Sequence, residues 1–145
     1  MLSNQVHAQS NVAFTAGVYG FGAEYEAPIS DGFSYGIHAH FAPSANRPSY
    51  STGLSVKYFF GEGTFIPYVN VGQMFMNEPN IQTLTATEVM GGIRFKLTSN
   101  LALDATGGMA LIRTLWQAPN NNCPESYCNS LPIGPTGRFG VRWSF

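Results

Sequence analysis

The chain has 145 residues, the size of a single domain. Charged residues make up only 10% of it and aromatic residues 14%, whereas an ordinary soluble domain is about 25% charged. The formal net charge of -1 gives no basic surface for nucleic acid, and no apolar run approaches the ~18 residues of a membrane-spanning helix.

Apolar and polar residues alternate along most of the chain, and this period of two predicts half-buried antiparallel strands. The first stretch, at about 12–26, places Tyr19, Phe21 and Tyr25 on its apolar face. Further stretches follow at 33–41, 50–60, 65–75, 86–97, 101–112 and along the last nine residues. The sequence therefore predicts an all-β fold.

The connections between these stretches alternate in length. Short turns rich in Gly, Asn, Asp and Ser lie at 28–32, 61–64 and 98–100. Longer polar segments lie between them, at 42–49, 76–83 and 113–136. Short turns at one end and long loops at the other are typical of a transmembrane antiparallel up-and-down β-barrel.

The strand charges lie mostly on the face that lacks aromatic residues, and they predict a network of ion pairs. Its predicted members are Glu24, Lys57, Glu88, Arg94, Asp104 and Arg142. A small barrel has room inside only for side chains, so small residues and paired charges suit the interior, while aromatic residues meet lipid. The alternative is a soluble, lipocalin-like, ligand-binding barrel with the apolar set inside.

The last strand, GRFGVRWSF, ends on an aromatic residue. It resembles the C-terminal signature of bacterial outer-membrane barrels, and the matching positions are Arg138, Gly140, Trp143 and Phe145. The whole chain is similar to small barrels of the OmpX or OmpA-transmembrane-domain type. This resemblance implies the bacterial outer membrane as location, membrane lipid as environment and recognition of the last strand by the barrel-assembly machinery.

The strand count leaves one strand to be explained. Counting back from Phe145 gives seven clear strands and puts the N-terminus at the loop end, yet a closed antiparallel barrel of this class has an even number. We expect eight, with the first one short and within 2–9, missing upstream, or supplied by another chain. The predicted division is a tail or weak strand at 1–11 and a barrel at 12–145.

Two histidines and nearby serines are the candidates for chemistry. His38 and His40 share one strand face, but no third ligand is identifiable for a metal. A lipid-modifying enzyme would need a serine such as Ser34 or Ser55 beside a histidine, and no spaced catalytic motif is present. The sequence therefore predicts no catalytic residue, metal or cofactor, and the histidines are interpreted as interior polar residues.

The loop at 114–134 is the most distinctive connection. Cys123 and Cys128 enclose PESY and are compatible with a disulfide in an oxidising compartment. Loops on a rigid scaffold often carry binding function. We therefore expect a structural or surface-interaction role, either with a recognition surface for an external ligand or host molecule, or with loops that only shield the barrel mouth. A barrel this narrow is not expected to be a general diffusion pore.

Overall fold

The computed structural model describes residues 9–43, 48–119 and 133–145, which form eight strands. The strands are β1 (Asn11–Gly17), β2 (Gly20–Ser30), β3 (Phe33–Ala42), β4 (Ser49–Phe59), β5 (Phe65–Glu78), β6 (Gln82–Lys96), β7 (Leu101–Gln117) and β8 (Ile133–Ser144). Within these ranges no helix is long and apolar enough to cross a membrane.

The eight strands form one closed antiparallel barrel. Each strand pairs with the next in sequence, and β1 also pairs with β8, from Asn11 opposite Ser144 to Gly17 opposite Arg138. This closure confirms the predicted eight-stranded fold and leaves no seam for a strand from another chain.

The eighth strand lies inside the stretch that the alternation pattern assigned to one strand. Residues 12–26 are a hairpin, in which β1 and β2 are joined through Val18 and Tyr19. Gly20 allows this turn because its φ is +93° and because a Cβ there would lie 2.3 Å from the carbonyl oxygen of Phe41. The expectation of a single strand at 12–26 was therefore wrong, and the proposed strand at 2–9 falls on residues outside the described range except for Gln9.

The barrel has two distinguishable ends. The terminal end holds Asn11 and Ser144 of the terminal strands, together with the connections at 31–32, 60–64 and 97–100. The loop end holds the connections at 18–19, 43–48, 79–81 and 118–132. Because β1 is a separate strand, the chain enters the barrel at the terminal end, and not at the loop end where a count of seven strands places it.

Four strands extend further at the loop end than the sequence predicted. The expected loop at 76–83 is only a turn at 79–81, because β5 continues to Glu78 and β6 begins at Gln82. Likewise, β7 continues to Gln117 into the expected loop at 114–134, and β8 begins at Ile133. Polar residues at these positions looked like loop residues, although strand pairing continues through them.

The side chains divide cleanly between an interior and an exterior. Phe33, Tyr58 and Trp143 point outward and are 37–47% exposed, whereas Arg94 and Arg142 point inward and are 8% and 2% exposed. Two small apolar clusters also lie inside. They are Phe59 with Ile66 and Tyr68, and Met74 with Ala86 and Ala110. Most aromatic residues thus lie on the outside of the barrel, and most charged residues of the strands lie inside it.

Candidate functional site

Six charged side chains meet inside the barrel, and we call them the charge cluster. They are Glu24, Glu26, Asp104, Lys57, Arg94 and Arg142. Three acidic and three basic groups make the cluster formally neutral. Such balance is needed because an unpaired buried charge is strongly destabilising.

Arg142 connects the acidic groups of the charge cluster. Its Nε donates to Asp104 Oδ2 at 2.7 Å, and its Nη2 donates to Glu24 Oε1 at 2.8 Å. Its Nη1 donates to the side-chain oxygen of Asn11. Because β8 and β1 are neighbours only in the closed barrel, this last bond links the two ends of the chain.

Lys57 and Arg94 complete the charge cluster from β4 and β6. Lys57 Nζ donates to Glu24 and, at 2.7 Å, to Glu26. Arg94 donates to both oxygens of Glu26, at 3.0 and 2.9 Å, and its Nε donates to Asp104 at 2.8 Å. The guanidinium of Arg94 also lies 4.6 Å from the centre of the Phe59 ring. The cluster therefore ties β1, β2, β4, β6, β7 and β8 together across the interior.

A second, smaller ion pair lies apart from the charge cluster. Glu88 accepts from the guanidinium of Arg138 and, at 2.8 Å, from the hydroxyl of Thr136.

Toward the loop end, Tyr19 packs against Met74 and its neighbours. Burial raises the pKa of the Tyr19 phenol, so the phenol stays uncharged. The prediction that Tyr19 faces outward was wrong, because Tyr19 belongs to a turn and not to a strand.

The structure brings five of the six predicted network residues together and places Glu88 elsewhere, with Arg138. The predicted network lacked Glu26, although Glu26 contacts Lys57 and Arg94. Its position two residues after Glu24 on the same strand face was the available signal. Asn11 was missed because it lies in the strand that was not recognised.

The C-terminal residues alternate between the two faces of β8. Trp143 is 47% exposed and packs edge-on against Phe14, with ring centres 6.3 Å apart. Arg138 and Arg142 point inward. At Gly140 a Cβ would lie 2.9 Å from Thr15 Cγ2 and 3.0 Å from the Phe14 carbonyl oxygen, so glycine lets β1 lie close to β8 without a shift. Phe145 follows β8 and is 68% exposed.

His38 and His40 are interior side chains, exposed by 0% and 4%. His40 Nε2 lies 2.9 Å from the Thr15 hydroxyl. In the described part of the chain, the hydroxyls of Ser34 and Ser55 have no hydrogen-bond partner, so neither of these two serines is paired with a histidine. Among all the residues that the structure describes, there is no group of three or more His, Cys, Asp or Glu side chains suited to a metal ion. Cys123 and Cys128 lie outside the described residues.

The interior is not an open tube. A cavity of about 490 Å³ opens near the terminal end, where Glu26, Arg94 and Arg142 are among its lining residues. A second cavity, bordered by Lys57, Asn70 and Arg138, holds only about 20 Å³, which is the space of one or two water molecules. The charge cluster thus fills the barrel between its two ends.

Solved structures of other proteins share this fold, although comparisons of sequence find no relative. No family model matches the chain, and no curated protein sequence matches it. The N-terminal β-barrel domain of Pseudomonas aeruginosa OprF superposes with a TM-score of 0.71 at 15% identity, over 96% of this chain and 98% of that one. Neisserial surface protein A gives a TM-score of 0.59 at 20% identity, over 94% and 95% of the two chains. Acinetobacter baumannii CarO gives 0.57 at 8% identity, over 93% and 97%.

Proposed function

We propose that this chain is an integral β-barrel of the bacterial outer membrane. The observation that carries the proposal is the reversed distribution of side chains, with aromatic residues outside and a neutral charge cluster inside. Exterior apolar residues suit hydrocarbon, and a closed barrel satisfies every backbone group within it. The solved structures of similar fold are those of outer-membrane barrel proteins, which supports the same location.

Refolding tests this proposal. We expect the urea-denatured chain to fold only when detergent micelles or lipid vesicles are present, and to migrate differently on a denaturing gel before and after boiling. A soluble, lipocalin-like barrel would instead fold in buffer as a monomer, and that result would contradict the proposal. The matched control is the same chain diluted into buffer without detergent.

The role we propose is structural and surface-interacting, with the loop end facing outward. Outer-membrane barrels have short turns on the periplasmic side and longer loops outside, and the longest stretch of sequence between two described strands is 118–132. We do not assign general diffusion, because the charge cluster occupies the interior. In planar bilayers we expect no stable porin-sized conductance.

The surface role predicts a loop-dependent adhesion phenotype. Cells that display this barrel should adhere to an epithelial monolayer more than cells that display a variant in which a short Gly-Ser turn replaces 119–131. Both barrels must show the same gel shift, so that folding is matched. Equal adhesion by the two would contradict a recognition role for this loop and favour simple shielding of the barrel mouth.

We also propose the barrel-assembly machinery as a partner of β8. Trp143 and Phe145 present exposed aromatic rings at the terminal end, in the pattern that sequence analysis connected with assembly. Phe145→Ala should lower the amount of barrel in the outer membrane of cells, while refolding in micelles stays unchanged. An unchanged amount in cells would contradict this partner.

A further inference from the structure

The exterior face is apolar over most of the barrel, and a group of polar residues interrupts it on β5, β6 and β7. Four neighbouring outward residues there are polar, and we call them the polar patch. They are Gln73, Thr85, Thr87 and Arg113. The strand register places Thr87 opposite Gln73 and Arg113 opposite Thr85, so that the four residues are contiguous.

Three members of the polar patch hold one another in place. Thr87 donates to the side-chain oxygen of Gln73 at 2.7 Å, and Gln73 donates to the hydroxyl of Thr85. Thr85 in turn donates to the carbonyl oxygen of Met74 at 3.1 Å. These bonds satisfy most of the polar groups of the patch within the protein.

Arg113 is the unsatisfied member of the patch. It is exposed, and it makes no ion pair or hydrogen bond with any other residue in the described ranges. The other described basic side chains on the strands are either buried inside, as Lys57 and Arg94 are, or line the terminal-end cavity, as Lys96 does. Arg113 is therefore the one basic group on the exterior face of the described strands.

The height of Arg113 on the barrel places it at a membrane surface. With a rise of about 3.4 Å per residue and a tilt of about 40°, β7 climbs about 30 Å from Leu101 to Arg113. This is the thickness of the hydrocarbon core, about 30 Å. If Leu101 lies at one edge of the core, Arg113 lies at the other, among the lipid headgroups.

We propose that the polar patch binds the phosphate of a glycolipid headgroup in the outer leaflet, with Arg113 as its cationic contact. The inference rests on the proposed function, because it needs the loop end to face outward. A guanidinium presents a planar set of donors that matches phosphate oxygens, and basic residues at a membrane surface are attracted to anionic lipid. The neighbouring Thr85 keeps this part of the wall polar beside the headgroup.

The probe for the test is purified lipid A, compared with the same lipid after enzymatic removal of its phosphates. The protein carries Trp143→Phe, so that Trp116, three residues from Arg113, is the single tryptophan and its fluorescence reports binding. Micelles of a maltoside detergent are used because they contain no phosphate. Native mass spectrometry counts the lipids that remain bound.

We expect Arg113→Met to weaken binding of the phosphorylated lipid by about fivefold, the effect of one basic residue at a membrane surface. Arg113→Lys should recover part of the loss. Lys96→Met removes the same charge at the terminal end and should leave binding unchanged. Dephosphorylated lipid should bind the parent protein no better than phosphorylated lipid binds the Arg113→Met variant.

Equal binding by the parent and Arg113→Met would overturn the inference, as would equal binding of the two lipids. A second copy of the chain bound through Arg113, seen as a dimer that Arg113→Met dissolves, would also overturn it. Each of these results leaves the gel shift of the folded barrel intact. Failure of the parent itself to fold in micelles would instead contradict the proposed function, and the inference with it.

Discussion

The interior and exterior of this barrel are built from the same strands but follow opposite rules. On β6, Glu88 and Arg94 point inward and are paired, while Val89 and Ile93 between them point outward and are more than half exposed. Inside, stability depends on electrostatic neutrality and close packing. Outside, where the wall meets hydrocarbon, it depends on the absence of charge. A substitution is therefore tolerated or not according to the face on which it falls.

The largest effect is expected from an unbalanced interior. Arg142→Met removes one of the two basic partners of both Asp104 and Glu24, leaves the cluster with an excess negative charge, and should lower the free energy of unfolding by about 3–5 kcal/mol. Urea titration of the barrel in lipid vesicles measures the loss. Adding Glu24→Gln restores formal neutrality and should recover part of it, and a double variant less stable than Arg142→Met would contradict the role of charge balance.

A charge on the exterior should cost almost as much. Val89 lies near the middle of β6 and faces outward. Val89→Arg should destabilise the barrel in vesicles by about 2–4 kcal/mol, because the side chain meets hydrocarbon near the bilayer midplane. Val89→Ile serves as the control for the change of side chain. A neutral effect of the arginine would show that water, and not lipid, surrounds this face.

Adding one methyl group tests packing on the two faces. In Gly53→Ala the new Cβ would lie 2.5 Å from His38 Nε2 and 2.6 Å from the Gln73 carbonyl oxygen. This substitution should lower the free energy of unfolding by about 1–3 kcal/mol. Gly107→Ala is the matched exterior control, because nothing lies within 4 Å of a Cβ there. It should change stability by less than about 0.5 kcal/mol. Equal costs at the two positions would contradict the difference in packing.

The smallest effect is expected for a polar contact outside the interior. Gln82 donates to Glu78 at 2.9 Å beside the turn at 79–81. Glu78→Ala should lower the free energy of unfolding by less than about 0.5 kcal/mol, because water replaces the lost bond. The same urea titration measures this change. A loss of stability as large as that of Arg142→Met would contradict the view that interior contacts contribute more to stability than contacts at a turn.

Much of this architecture could be predicted from the sequence, but not the first hairpin. Alternation correctly assigned the faces of β3, β4 and β6, including the inward Lys57 and Arg94. It failed at 12–26, where outward residues change from even numbers, as in Phe14, to odd numbers, as in Phe21. This change of parity and the glycines around Val18 and Tyr19 marked the turn. Alternation alone does not reveal the turn, because it persists on both sides of the change from even to odd outward positions.

The sequence by itself determined which side chains share a face, because a strand alternates its side chains whatever it pairs with. Closure, and therefore the partners inside, was decided only by the tertiary structure. Arg94 meets Glu26 across 68 positions of the chain, and Arg142 meets Asn11 across 131. Such contacts depend on the register of every intervening strand pair, and a strand's own residues do not contain that information.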